Sequence, residues 1–261
     1  MNARRTLTVA ILLVSAALVT CSAVGLESGD FRVETDVFVD DTKDPVSETL
    51  TLFSGDLVYD FLLSEPEEIT ILDVRRSRIV LLDKARRIKT TLTTDELRQF
   101  TAALKFLASD TENKEVFEPQ FVQQFDKASG ELVLSGVMIT YRVLGIEPKH
   151  PGVSRKYREF ADWYARLNAA RFRNLPPFAR IELNRSLAEK GLLPKEVSRT
   201  VVTPQPLIDK KTTAHSRHTF VWSLSNSDRK RIENVGTYQA SYKTVSFPEY
   251  WGVERVAARA K

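Results

Sequence analysis

The chain is poor in the residues on which most recognisable catalytic sites depend. Among its 261 residues there is one cysteine, Cys21, and there are three histidines and ten glycines. A single cysteine excludes an intrachain disulfide and a cysteine-based zinc site. The glycines are scattered singly, so neither nucleotide-binding glycine motif occurs, and no serine lies in a Gly-x-Ser-x-Gly sequence. We therefore expect no cofactor, no metal site and a function other than that of an enzyme.

The few residues that could still support chemistry have simpler interpretations. His215 and His218 are three positions apart in a segment that we interpret as extended, where such residues point to opposite faces of a strand. Asp60 and Asp73 could act as general acids or bases if they were buried. Positions on polar faces or at strand ends account better for both carboxylates, so the sequence predicts no catalytic residue.

The N-terminus has the features of a secretory signal. Arg4 and Arg5 are followed by residues 6–26, which carry no charged side chain. Three outcomes fit: cleavage after Ala23 to give a signal segment of residues 1–23, acylation of Cys21, or an uncleaved membrane anchor. Residues 18–21 resemble the lipobox of bacterial lipoproteins, although Thr20 is larger than the residue that this family places before its cysteine.

Export limits the location and the partners. No second apolar stretch of spanning length follows, so we expect the rest of the protein to be soluble. The sequence thus predicts an exported protein of the periplasm or cell envelope, with membrane association through its N-terminus as one outcome. Nucleic acid is excluded as a partner by this location.

Charge is divided unevenly along the chain. Residues 21–150 contain 15 Lys/Arg and 24 Asp/Glu, whereas residues 151–261 contain 21 Lys/Arg and 10 Asp/Glu. One interpretation is attraction between two halves of one fold, or dispersal over solvated faces. The other is a basic surface in the second half that meets anionic lipid headgroups.

The first half reads mainly as antiparallel strands. Apolar and polar residues alternate from Phe31 to Val39, and five further short strands follow as far as Leu92, joined by short polar turns. Strands with such short connections must be antiparallel. The sequence predicts a second hairpin between residues 121 and 144.

Helices are predicted after the first strands and again in the second half. Thr93 and Glu96 form a capping-box pattern before a helix. Further helices are predicted over 154–172 and 178–190, separated by Pro176-Pro177, with extended segments at 197–202 and 218–224 and a short helix capped by Ser225 or Ser227. We therefore predict an α+β fold in which a curved antiparallel sheet, an incomplete barrel, is covered by helices. Residues 24–261 would form a single domain, with a subdivision near residue 150 left open.

This order resembles that of periplasmic lipoprotein carriers of the LolA and LolB type, and the chain is otherwise similar to exported bacterial proteins of unassigned activity. The resemblance covers roughly residues 30–145. It depends on the alternation in 31–39, on the segments 49–53 and 58–61, and on the helix after Thr93. It implies an incomplete barrel around a hydrophobic cavity, with helices as its lid.

Two sets of residues are candidates for ligand contacts. The bulky residues expected to face the interior of the sheet and line a cavity are Phe53, Tyr59, Phe61, Trp163 and Trp222. The arginines around the Pro176-Pro177 break that could contact an anion are Arg171, Arg173, Arg180 and Arg185. A core position explains the first set equally well, and a solvated helix face the second.

The leading hypothesis is an envelope protein that binds a lipid or a lipidated partner in an apolar half-barrel. An interaction or structural protein without a ligand cavity is the alternative, and a hydrolase acting through carboxylates is the third. Whether the interior of the sheet is filled or hollow decides between the first two.

Overall fold

A computed structural model describes residues 29–107, 114–171, 175–205 and 208–252. The predicted signal segment, with Cys21, lies outside the described residues, and so does Arg173. Within the described residues, no helix has both the length and the apolar character needed to cross a membrane.

Twelve strands within the described ranges form one open sheet. They are β1 (Phe31–Val39), β2 (Ser47–Ser54), β3 (Leu57–Leu62), β4 (Glu68–Asp73), β5 (Arg78–Asp83), β6 (Ile88–Thr93), β7 (Val122–Asp126), β8 (Glu131–Ser135), β9 (Ile139–Ile146), β10 (Leu193–Thr203), β11 (Lys210–Val221) and β12 (Lys243–Thr244). Their order across the sheet is β12-β6-β5-β4-β3-β2-β1-β11-β10-β9-β8-β7. All neighbours are antiparallel except β12 and β6, which are parallel. The predicted α+β class with a large antiparallel sheet is confirmed.

Six helices lie between or after these strands in the described part of the chain. They are α1 (Thr94–Leu107), α2 (Lys114–Phe117), α3 (Val153–Ala170), α4 (Phe178–Glu189), α5 (Asn226–Ser241) and α6 (Phe247–Trp251). Helix α1 begins with the predicted capping box: the Glu96 backbone N–H donates to Thr93 Oγ1 at 3.1 Å, and the Thr93 N–H donates to Glu96 Oε2 at 2.6 Å. This exchange satisfies two amides that the helix leaves without a partner.

The centre of the sheet joins the two halves of the chain. Strand β1 pairs with β11 from Arg32 opposite Val221 to Val39 opposite Ala214. On one side of this pair the strands β1 to β6 follow in chain order, and on the other β11 to β7 run in reverse order. Residues before and after position 150 therefore belong to one hydrogen-bonded sheet.

One face of the sheet, here the α3 face, packs against helix α3. It consists of the odd-numbered residues of β1 and β2 and the side chains paired with them across the other strands. Phe31 stacks on Phe53 with their ring centroids 4.1 Å apart, and Phe53 meets Phe160 of α3 edge-on at 5.6 Å. All three side chains are buried. This apolar contact fixes α3 against the middle of the sheet.

The opposite face, here the α5 face, packs against helix α5. Leu52, Tyr59 and Ile71 lie side by side on β2, β3 and β4, and they form one buried cluster with Val235 and Tyr242. Because the central strands bury side chains on both faces, β2 to β5 read as almost continuous apolar runs rather than clean alternations.

Three element boundaries differ from the sequence predictions. The predicted strand over 132–144 is divided into β8 and β9, because the chain reverses after Gly136 and the Gly136 N–H donates to the Ile139 carbonyl at 3.0 Å. Helix α5 extends to Ser241, well beyond the predicted short helix, because Val235 and the C-cap residue Tyr242 continue its buried face. Strand β11 begins at Lys210, in a polar stretch that carries no apolar alternation.

Candidate ligand cavity

A cavity of about 610 Å³ lies between the α3 face of the sheet and the helices α3 and α4. Its walls come from strands β1, β2, β3, β9, β10 and β11, from both helices and from residues 175–177, which precede α4. The volume falls within the range of roughly 300 to 1,000 Å³ that is typical of small-molecule sites. The α3 face therefore has a recess large enough for a small ligand.

Much of the cavity wall is apolar. Val33 and Val37 of β1, Ile139 of β9, Val197 of β10 and Phe160 of α3 all contribute to it. Val33, Ile139, Phe160 and Val197 also belong to the buried core, so this part of the wall is held by packing around it. A hydrocarbon group would find complementary surface here.

A buried carboxyl group interrupts this apolar wall on β3. Asp60 is 4% exposed, and its Oδ1 accepts a hydrogen bond of 2.6 Å from the hydroxyl of Thr51 on β2. Burial raises the pKa of Asp60 to about 6, although the hydroxyls of Thr51 and Tyr164 and the charge of Arg171 oppose that rise. Asp60 can therefore gain or lose a proton near neutral pH.

A buried histidine lies on the same face, on β11. His218 is 8% exposed, and its Nδ1 lies 3.0 Å from Thr35 Oγ1 while its Nε2 lies 3.0 Å from Ser216 Oγ. Burial, helped by the nearby charge of Arg180, lowers the pKa of His218 to about 3. His218 is therefore neutral at physiological pH and orders the wall through its two hydroxyl partners.

His215 lies on the other face of the same strand, as the sequence predicted for this pair. Its ring lies 6.4 Å from that of Phe38, which is its cross-strand neighbour on β1. Within the described residues, no group of three or more His, Cys, Asp or Glu side chains could hold a metal ion.

Three arginines line the cavity, and one of them is neutralised. Arg171 forms an ion pair with Glu68, and its guanidinium lies 4.7 Å from the centroid of the Trp251 ring. The other oxygen of Glu68 accepts a hydrogen bond of 3.0 Å from the hydroxyl of Tyr250. These contacts link the end of α3 to β4 and α6.

The other two arginines have no such counter-charge. Arg180 of α4 and Arg199 of β10 form no ion pair with any residue that the structure describes. Asp60 is the sole carboxylate among the described lining residues, and its charged neighbours are Arg171 and Glu68. The cavity therefore carries uncompensated positive charge.

The predicted anion contacts divide accordingly. Arg171 and Arg180 both line the cavity. Arg185 is exposed on α4 and pairs with Glu182 and with Glu189, as a solvated helix face predicts. Arg173 lies outside the described residues.

The five aromatic residues predicted to line a cavity lie outside this one, although Phe61 lines a smaller recess of about 260 Å³ on the α5 face. Phe53, Trp163 and Trp222 pack in or against the core on the α3 face, and Tyr59 and Phe61 lie on the α5 face. None of the five is among the described residues that line the 610 Å³ cavity.

The pairing register of β2 and β3 explains why Phe53 lies on one face of the sheet and Tyr59 and Phe61 on the other, although all three have odd numbers. The turn between β2 and β3 pairs Phe53 with Val58 and Leu52 with Tyr59, so an odd-numbered residue on β2 shares its face with an even-numbered one on β3. Asp60, not Tyr59, is thus directed to the α3 face.

Arg199 was missed by the sequence interpretation. It lies between Val197 and Val201 on the same face of β10, opposite Tyr141 on β9 and Ala214 on β11. A cation at an alternate position between two β-branched apolar residues was the available signal, because such a position indicates an inward-facing charge.

Comparison with protein-family models and with curated proteins finds no match to this chain.

Proposed function

We propose that the protein is a non-enzymatic binding protein of the cell envelope whose cavity takes up the apolar part of a lipid or of a lipidated partner. In this proposal the open sheet acts as an incomplete barrel, and helices α3 and α4 cover it. The observation that carries the proposal is the cavity of about 610 Å³, bounded on several sides by Val33, Val37, Ile139 and Val197.

The same observation weighs against a purely structural protein. A purely structural protein has no use for charged side chains left without a partner inside a recess, since partly buried charges cost free energy unless they are paired. A cavity of this size with neutralised and unneutralised arginines in its wall is better explained by a ligand. The proposed location in the envelope depends on Arg4, Arg5 and the uncharged residues 6–26.

Lipid that co-purifies with the protein tests the proposal. The chain is prepared without detergent, and its organic extract is analysed by mass spectrometry. We expect a stoichiometric amphiphile in the wild type and much less in Ala214→Phe, which introduces a ring on the cavity side of β11. Thr219→Phe is the control, because Thr219 is exposed on the same strand. Repeated absence of lipid in both the wild type and the control would contradict the proposal.

A hydrolase is the second candidate, and Asp60 is the observation that favours it. A buried carboxyl whose pKa is raised to about 6 by burial suits general acid–base chemistry. However, the nearby Glu68 is engaged by Arg171 and Tyr250. A screen of ester and glycoside substrates would support this candidate if turnover were found and were lost in Asp60→Asn.

A further inference from the structure

Arg199 is an arginine directed into a cavity without a partner. It belongs to the α3 face of β10, and its cross-strand neighbours on that face are Tyr141 and Ala214. Its Nε is buried and has no hydrogen-bond partner. Within the part of the chain that the structure describes, Arg199 forms no ion pair and lies over no aromatic ring. Arg199 as a whole is half-buried, and withdrawing part of its guanidinium from water costs free energy that a bound anion would offset.

Arg180 reaches the same cavity from α4 and is held in place by a chain of hydrogen bonds. Its Nε donates to Asn184 Oδ1 at 3.1 Å, and Asn184 Nδ2 donates to Asp162 Oδ1 of α3 at 2.9 Å. Asn184 is itself buried. These contacts use one guanidinium N–H and orient the group, while its Nη atoms have no partner among the described residues.

The two arginines line the same cavity, Arg180 from α4 and Arg199 from β10. Arg180 is close enough to His218 on β11 for its charge to act on that ring. Strand β11 is the hydrogen-bonded neighbour of β10, and Arg199 lies opposite Ala214, which also lines the cavity. The guanidinium groups of α4 and β10 thus enter from the helix side and the sheet side. Each guanidinium is planar and can donate two parallel N–H hydrogen bonds to the oxygens of a carboxylate or a phosphate.

We propose that Arg180 and Arg199 bind the anionic group of an amphipathic ligand, while its hydrocarbon part lies along Val33, Val37 and Ile139. This inference rests on the proposed binding function and adds the chemical class of the ligand's head: a carboxylate or a phosphate monoester. The apolar wall distinguishes such an amphiphile from a free inorganic anion, which would leave that wall unoccupied.

Binding of defined probes to lipid-free protein tests the inference. Calorimetric titrations use dodecanoate and dodecyl phosphate as anionic amphiphiles, monododecanoylglycerol as a neutral one, and inorganic phosphate as a free anion, all below micelle formation. We expect both anionic amphiphiles to bind at least about 10-fold more tightly than the neutral one, because hydrogen bonds to a charged group are worth more than neutral ones. Inorganic phosphate should bind more weakly than dodecyl phosphate.

Variants locate the contact. Arg180→Gln and Arg199→Gln should each weaken dodecyl phosphate binding by about 10-fold or more and change binding of the neutral amphiphile by less than about 2-fold. Arg185→Gln, on the exposed side of α4, is the charge-matched control. Arg199→Gln should also leave the thermal stability of the lipid-free protein unchanged or higher, whereas a structural role would lower it. Arg199→Lys retains the charge and should lose less affinity.

The outcomes separate this inference from the proposed function. If anionic and neutral amphiphiles bind equally well and neither glutamine variant has an effect, the inference is wrong and the binding function stands. If inorganic phosphate binds as tightly as dodecyl phosphate, the ligand is a free anion, and the proposal of an amphipathic ligand is wrong. If no amphiphile binds, both are wrong.

Discussion

Asp60 places a carboxyl group where the surrounding strands exclude water. It is 4% exposed on the α3 face, beside Thr51 and Tyr164, in a wall that combines apolar side chains with hydroxyl groups and arginines. Desolvation penalises its charged form, so the pKa of Asp60 is higher in the folded protein than in the unfolded chain. The folded state therefore holds this proton more strongly, and stability falls as pH rises from about 4 to about 6.

Asp60→Asn should remove this pH-dependent penalty. Compared with the wild type, the variant should gain about 1–3 kcal/mol in the free energy of unfolding between pH 4.5 and pH 7.5, because its amide stays neutral. Urea unfolding at several pH values measures the difference. Asp126→Asn is the control, and its effect on stability should change with pH in the opposite direction. Hydrogen bonds from Ser129 and Ala128 lower the pKa of Asp126, whereas burial raises that of Asp60. A difference between wild type and Asp60→Asn that does not vary with pH would contradict this account.

At this scale the sequence showed which residues were unusual but not where they lie. Asp60, His218, Arg171 and Arg180 were all noticed as candidates, and all four line one cavity. Their grouping depends on the register of β1, β2, β3 and β11, which a single sequence does not contain. The sequence interpretation placed Tyr59 on the inner face together with Phe53. In the structure the short turn after Ser54 pairs odd-numbered residues of β2 with even-numbered residues of β3, so Asp60 lies on that face instead.

A buried carboxylate at the start of helix α5 links the helix to the central strand β1. Asp228 is 1% exposed, and it accepts hydrogen bonds from Arg32 Nη1 of β1 at 3.0 Å and from the Ser225 backbone N–H at 2.8 Å. Burial raises the pKa of Asp228, but the hydrogen bonds from Ser225 and Arg32 outweigh burial and leave the pKa below its usual value. One side chain thus caps the helix and neutralises a cation on the central strand.

Asp228→Ala should therefore destabilise the protein strongly. We expect the free energy of unfolding to fall by about 2–4 kcal/mol, because the helix loses its capping box and Arg32 loses its buried partner. Chemical unfolding of both single variants and of Arg32→Ala combined with Asp228→Ala measures the coupling between them. Glu233→Ala, exposed on the same helix, should change stability by no more than about 0.5 kcal/mol. If Asp228→Ala lowered the free energy of unfolding no more than Glu233→Ala does, the buried contact between Asp228 and Arg32 would be unimportant for stability.

Elements with a local signal were predictable, and those stabilised by distant contacts were not. The alternation in β1, the capping box of α1 and the Ser225 cap of α5 are each contained in a few neighbouring residues, and each appears in the structure. The length of α5 depends on Val235 meeting β2 to β5, and the first half of β11 depends on pairing with β10. Tertiary contacts therefore set the boundaries that the sequence pattern left open.

At the scale of the whole molecule, the sheet joins the acidic and the basic halves of the sequence. Ion pairs cross between them, such as Arg171 with Glu68 and Arg229 with Asp30, which is the attraction that one interpretation of the charge asymmetry predicted. The hydrogen bonds of β1 with β11 add a continuous backbone link.

We therefore expect the two halves to unfold together. Far-UV circular dichroism follows strands from both halves, whereas tryptophan fluorescence reports Trp163, Trp222 and Trp251, all in the second half. Because β1 and β11 are hydrogen-bonded along eight residue pairs, the two signals should change in one coincident urea transition. A dichroism phase without any change in fluorescence would instead show that the first half unfolds alone, as a subdivision near residue 150 would require.

The pairing of β1 with β11 also determines when the fold can be completed. Thr35 and His218, neighbours across this pair, are 183 positions apart in the chain. During synthesis the first six strands emerge long before β11, and until then β1 is an open sheet edge without its partner. Contacts of such high sequence separation slow folding, since the loop between them must close first. The growing chain therefore cannot form its central strand pair until β11 has been synthesised.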